Sequence, residues 1–171
     1  MPRLLAVLFL LAACGAFAAE RPDNFVQWRP GLASSAQPSG AWLGKARQSG
    51  YDLVINLAAP TSPGWIANER ALVVASGAAY LGIPIDFAHP KPDDFRRFSD
   101  ALKANAGRNV FVHCALNWRS ASFIFLHRVL NEGVPLDHAL DALYAAWSPD
   151  PVWKKFIEDT LAASGKKVEL M

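Results

Sequence analysis

The sequence predicts an α/β domain with a central, mostly parallel sheet of four to five strands flanked by helices. Three observations carry this expectation. The runs Tyr51 to Leu57, Tyr80 to Ile85 and Val110 to Val112 are rich in β-branched and aromatic residues and read as buried strands. Stretches of helical length separate them, and such alternation implies parallel strands joined by right-handed crossovers. The residues that carry chemistry fall just after strands, and such sheets hold their ligands at the carboxyl ends of the strands.

The 171 residues suffice for one domain with a sizeable core. Seventeen basic and 15 acidic residues leave a net charge of +2, so nothing points to nucleic acid as a partner. No repeat, low-complexity tract or Gly/Ser linker divides the chain.

Residues 1–18 read as a targeting segment. Arg3 supplies its positive start and Leu4 to Ala13 an apolar stretch too short to span a bilayer comfortably. Ala16-Phe17-Ala18 fits a signal-peptidase site that would release a soluble protein. Leu11-Ala12-Ala13-Cys14 fits a bacterial lipobox instead, with residues 1–13 as the signal and a lipidated Cys14. Both routes imply export, to the periplasm or to a membrane anchor facing it. A lipid on Cys14 would be the only membrane contact, and the chain is expected to be a monomer.

The folded domain is expected over 24–164, with 165–171 as a polar tail. Phe25 to Trp28 and Leu32 suggest short strands around the Pro30-Gly31 turn. Ser39 can cap a helix over Gly40 to Gln48, ended by Gly50. Asn68 to Ser76 makes a helix closed by Gly77. Pro84 marks a strand end or edge. Asp93 to Asn105 forms a helix after Pro92, with Asp93 and Asp94 as cap and dipole partner. Ala121 to Asn131 is apolar on nearly every side, as befits a central buried helix. Pro135 to Ala146 and Val152 to Ala163 complete the helices, with Trp147, Trp153 and Phe156 as core aromatics.

The most informative stretch is His113-Cys114-Ala115-Leu116-Asn117-Trp118-Arg119-Ser120. A cysteine stands between a buried strand and a helix that starts near Ser120, with an arginine five positions on. Helix amino ends carry unpaired N–H groups and partial positive charge, so they hold anions and favour a thiolate. Arginine adds a planar fork matched to phosphate or sulfate oxygens. With Cys14 removed or lipidated, Cys114 is the only thiol of the mature chain, and no internal disulfide can form. The plain alternative is an inert buried cysteine. His89, His127 and His138 lack metal-ligand spacing, so neither a metal nor a cofactor is expected.

This loop resembles that of the cysteine-dependent tyrosine and dual-specificity phosphatases, which place His-Cys ahead of an Arg followed by Ser or Thr. Four residues rather than five separate Cys114 from Arg119, as in a bacterial subgroup also found fused to β-lactamase-like hydrolases. The usual loop glycines are absent. The opening Ser35-Ala36-Gln37-Pro38-Ser39 and the run Val54-Ile55-Asn56-Leu57 are similar to the same subgroup, so the resemblance extends from about residue 24 onward.

The resemblance implies a dual-specificity-like fold and a phosphocysteine mechanism on a phosphorylated small molecule or phosphoprotein. Cys114 would be the nucleophile, and Arg119 would hold the oxyanion with the N–H groups of Ala115, Leu116, Asn117, Trp118 and Ser120. Asp86, 28 positions before Cys114, would protonate the leaving oxygen. His113 would hydrogen-bond around the loop, and Ser120 would either aid the thiolate or merely cap the helix. Asn56 is a candidate brace. Two further readings stay open: a rhodanese-like sulfurtransferase carrying a persulfide on Cys114, and a non-catalytic oxyanion-binding module.

Overall fold

The computed structural model describes residues 21–171; the expected targeting segment and Cys14 lie outside the described residues. Strands β1 (Val26–Arg29) and β2 (Leu32–Ser35) form the opening hairpin. Gly31 turns it at φ 75°, a left-handed conformation that glycine adopts without steric cost. Short α1 (Gly40–Leu43) leads to β3 (Leu53–Asn56), α2 (Glu69–Ala75) and β4 (Ala79–Gly82). Then come α3 (Pro92–Ala104), β5 (Val110–His113), α4 (Trp118–Asn131), α5 (Leu136–Ala146) and α6 (Pro151–Ala162). Among the described residues, no helix is long and apolar enough to cross a membrane.

The sheet runs β1-β2-β5-β3-β4, antiparallel at β1–β2 and parallel elsewhere. Strand β5 lies in the middle, hydrogen-bonded on both edges, and every one of its residues is buried. Side chains alternate across a strand. Val110 and Val112 therefore join one core with Phe123, Leu126, Trp153 and Ile157, while Phe111 enters a second with Trp42, Leu43 and Val73. Two covered faces explain why these strands read as unbroken apolar runs.

Helix α4 is buried on almost every side and packs against α5, α6 and α3, as its composition predicted. The helix expected over Gly40 to Gln48 stops at Leu43. Ser39 does cap it, accepting from Trp42 N–H, but Lys45 and Ala46 then donate three residues back rather than four. Glycine is a weak helix former, and Gly44 stands at the exit. Asp93 and Asp94 are not caps. Pro92 occupies the first turn, which moves the N-cap to Lys91 and leaves both acids within that turn.

The chain end also differs from the expected polar tail. Leu170 packs into the main core, its N–H donates to Glu158 and that of Met171 to Tyr144 Oη. Val168 packs against the same core, so the segment docks on α5 and α6 through two apolar residues and these two bonds.

The central position of β5 predicts the cost of truncating it. Phe111→Ala should lower stability by about 3–5 kcal/mol, the usual range for emptying a buried phenylalanine site. Urea unfolding of the two proteins measures it directly, and the melting temperature should fall by roughly 10 °C.

Candidate active site

Strand β5 ends at His113, and Cys114 follows with 1% of its surface exposed. From there the chain turns sharply into α4, which starts at Trp118, two residues earlier than expected. Asn117 makes this turn at φ 71°. Asparagine tolerates the left-handed region better than other non-glycine residues, so it stands in for the missing loop glycine. Its side-chain amide donates to Asn24 O at 2.8 Å, which ties the turn to the amino-terminal segment.

Four carbonyls along this loop accept. His113 O receives Leu57 N–H (2.8 Å), Ala115 O receives Gln37 N–H (3.1 Å) and Asn117 O receives Ala121 N–H (2.8 Å). Leu116 O receives Asn24 Nδ2 at 2.9 Å. A trans peptide is planar, so a carbonyl held toward Gln37 turns the next N–H, that of Leu116, the opposite way. The N–H groups of Trp118 to Ser120 form the unpaired amino end of α4.

A cavity of about 510 Å³ opens over the thiol, and its lining includes Cys114, Arg119, Asp86, Ala115, Leu116 and Trp118. Residues from three strand ends thus meet around one space: the β5 loop, the β4 loop with Asp86, and the β3 loop with Thr61 and Ser62. Asn117 and Ser120, named with the loop from the sequence, do not line this cavity with the others. Asn117 faces the amino-terminal segment, and Ser120 is fully buried in the first turn of α4. Ser120 is not the helix cap, a position held by Asn117.

Arg119 is fixed in place. Nη1 donates to Ile85 O at 2.9 Å and Nη2 to Ser62 Oγ at 3.0 Å, with the Phe87 ring 5.8 Å from the guanidinium carbon. Its Nε and the Ser120 hydroxyl are buried without a partner among the described residues. Buried donors of this kind are nearly always paired, and an oxyanion at the loop is the partner that would satisfy them.

Asp86 stands at the rim with its carboxylate largely exposed. Its Oδ1 accepts from Ala88 N–H and its Oδ2 lies 2.9 Å from His89 Nδ1. The His89 hydrogen bond, helped by that of Ala88, holds its pKa below the usual carboxylate value. Asp93 and Asp94 lie outside this cavity.

His113 does not bond around the loop as expected. Its Nε2 meets Glu69 Oε1 at 2.9 Å, in the interior. Glu69 is 1% exposed and also receives Asn56 Nδ2 (2.8 Å) and Gln37 Nε2 (2.8 Å). Burial alone would raise its pKa, but the hydrogen bonds and charge of His113, with Gln37 and Asn56, outweigh it and the net shift is downward. The hydroxyl of Tyr80 is pushed up to about 12 by burial and by Glu69. The Asn56 side chain bonds no residue of the cysteine loop directly: its Oδ1 accepts the N–H of Ala58, just after β3, at 2.7 Å.

Sequence reasoning missed Glu69, Ser62 and Asn24. Glu69 is one residue of the stretch expected as a helix over Asn68 to Ser76, and the partners of all three lie 13 or more residues away. Among the described residues no three His, Cys, Asp or Glu side chains gather to hold a metal.

No family model and no curated protein matches the chain. Solved structures do. A candidate phosphatase (DUF442) from Shewanella putrefaciens is 28% identical, with a TM-score of 0.74 over 83% of this chain and 91% of that one. P. aeruginosa TpbA, at 17% identity, covers 82% of this chain and 84% of its own with a TM-score of 0.62. TpbA has also been solved in complex with phosphotyrosine. The core catalytic domain of the PP-IP phosphatase SIW14 from S. cerevisiae is 16% identical, with a TM-score of 0.62 over 84% of this chain and 93% of its own. The last two share the fold.

The Glu69 site makes a stability prediction. Glu69→Ala leaves His113, Asn56 and Gln37 facing an empty polar site and should cost about 3–5 kcal/mol in urea unfolding. A depressed carboxylate contributes stability that is present above its unfolded pKa, near 4.5, and is lost as pH falls through its lower folded pKa. Unfolding curves at pH 6 and at pH 3 should therefore show a smaller acid loss for Glu69→Gln than for the native chain.

Proposed function

We propose that the chain, which shares the fold of the cysteine-dependent tyrosine and dual-specificity phosphatase-like structures, is an exported phosphomonoester hydrolase. One observation carries the reading: Cys114, Arg119 and Asp86 share a cavity, and the Arg119 Nε is a buried donor without an acceptor among the described residues. A phosphoryl group seated there would present its phosphorus to the thiolate and its oxygens to the guanidinium and the helix end.

The proposed reaction needs only these groups. Cys114 Sγ attacks phosphorus, the ester P–O bond breaks, and the leaving oxygen takes the proton of Asp86. Water then attacks the phosphocysteine, giving its proton to the Asp86 carboxylate. The S–P bond breaks, and phosphate leaves with the thiolate restored.

The walls narrow the substrate. Phe87, Trp118, Leu116, Pro63 and Ala59 are apolar, and Leu116 is 48% exposed at the mouth. Arg119 is the one lysine or arginine among the described lining residues. Such a site favours a single phosphoryl group on an aromatic or apolar alcohol over a polyanion, which would need more cations to replace its water. Phosphotyrosine, as a free residue or in a protein, fits this description. Export rests on residues 1–18, with a soluble periplasmic protein or a Cys14-anchored lipoprotein as its two forms.

Hydrolysis of an aryl phosphate by the chain from residue 19 onward tests the reading. Cys114→Ser should abolish phosphate release, and Arg119→Lys, which loses the fork, should reduce it by about a hundredfold or more. Asp86→Asn should slow substrates with basic leaving groups most. Slow release with a Cys114 that still alkylates rapidly would move the assignment to sulfur transfer or oxyanion binding.

The pH profile gives a separate check. Only protonated Asp86 can act as the acid, so turnover should decline with rising pH above its depressed pKa. His89→Ala removes the bond that favours the carboxylate, so this descending limb should move to higher pH. A limb that stays in place would remove Asp86 from the acid role.

A further inference from the structure

We propose that Trp153, on the last helix, is a positioning residue that presets Asp86 for proton delivery, so the acid loop acts as a fixed arm rather than a lid; this rests on the phosphatase reading above. The argument starts from how little the Asp86 side chain holds for itself. Its carboxylate is exposed, and both of its partners, Ala88 N–H and His89, belong to its own turn. Local bonds shape the turn but do not place it over the thiol. Placement must come from the backbone on either side.

That backbone is clamped twice. Before Asp86, the carbonyl of Ile85 accepts from Arg119 Nη1 at 2.9 Å. After it, the carbonyl of Phe87 accepts from Trp153 Nε1 at 2.9 Å. Trp153 is fully buried, 66 residues on in sequence, and its indole N–H must find an acceptor inside the protein. Its helix start is itself fixed by Asp150, whose side chain accepts the Trp153 N–H at 2.9 Å.

The Phe87 side chain is held with equal firmness. Its ring centroid lies 5.6 Å from that of Trp153, 5.7 Å from Trp118 and 6.1 Å from Trp147. Trp118 and Trp147 stack at 5.0 Å with an interplanar angle of 6°. Trp118 belongs to the cysteine loop helix, so the acid loop and the nucleophile loop lean on the same aromatic block. Cys114, Arg119 and Asp86 are thereby placed as one body, which suits proton transfer over a distance that tolerates little error.

Trp153→Phe removes the N–H and keeps a ring, and the test is its dependence on the leaving group. Phenyl phosphate and 4-nitrophenyl phosphate would be hydrolysed by the native chain, Trp153→Phe, Asp86→Asn and the double variant, with melting temperature and Cys114 alkylation rate as controls. The expected result is a loss of about tenfold on phenyl phosphate, whose leaving group needs the proton, and less than about twofold on the nitrophenyl ester. The double variant should be no slower than Asp86→Asn alone, because both changes act on one step.

Equal loss on both esters, no loss on either, or additive effects in the double variant would overturn the proposal. An Asp86→Asn variant with no leaving-group preference would overturn the acid role itself, and with it the reading on which this one rests. Should Trp153→Phe fail to fold, Phe87→Leu keeps the carbonyl bond and removes the ring contacts. It should then show the same leaving-group selectivity in smaller degree, and a uniform loss there would count equally against the proposal.

Discussion

The structure depends on a buried carboxylate. Strand β5 carries the cysteine, and for a thiol to sit at the base of a cavity the strand end before it must be buried on both faces. That burial traps the polar His113 ring in the interior, where an unpaired polar group is costly. Glu69 comes from α2 to meet it, and Gln37 and Asn56 complete the carboxylate's partners. The ends of β3 and β5, the segment after β2 and the start of α2 are thus joined by one hydrogen-bonded group. Breaking any member leaves others unpaired, so the network acts as a unit.

Above this base, the short loop solves a geometric problem with unusual residues. Four residues must reverse the chain from strand to helix and still leave N–H groups for an anion. Asn117 supplies the left-handed turn, and the outward carbonyls are taken by Gln37 and Asn24 from the amino-terminal segment. Trp118 stacks flat on Trp147 and forms a wall of the cavity. Its bulk is accommodated because packing at the end of α5 receives the side chain, while Leu116 stays exposed at the mouth.

The two charged groups of the site live under opposite conditions. Arg119 is buried and committed to fixed acceptors, so it is preorganised and has little to reorder when an anion arrives. Asp86 is exposed and stabilised as the anion by His89 and Ala88. In the proposed reaction, a cation held rigidly and an acid kept near water would divide the labour between binding charge and exchanging protons.

The sequence by itself determined the α/β class, the parallel order implied by alternating strands and helices, the buried β5 and α4, and the Cys114–Arg119 loop. Each of these is local: periodicity, apolar runs and short spacings are properties of neighbouring residues. It also marked Asp86 by its place after a strand. The tertiary structure alone decided that α1 ends at Leu43, that Leu170 docks on the core, and that Glu69 is the partner of His113. It alone placed Ser62 on Arg119, Asn24 on the loop and Trp153 on the Phe87 carbonyl. These pairings join residues 44 to 93 positions apart. No local pattern encodes them, because which polar group meets which is settled by packing and by the need of every buried donor for an acceptor.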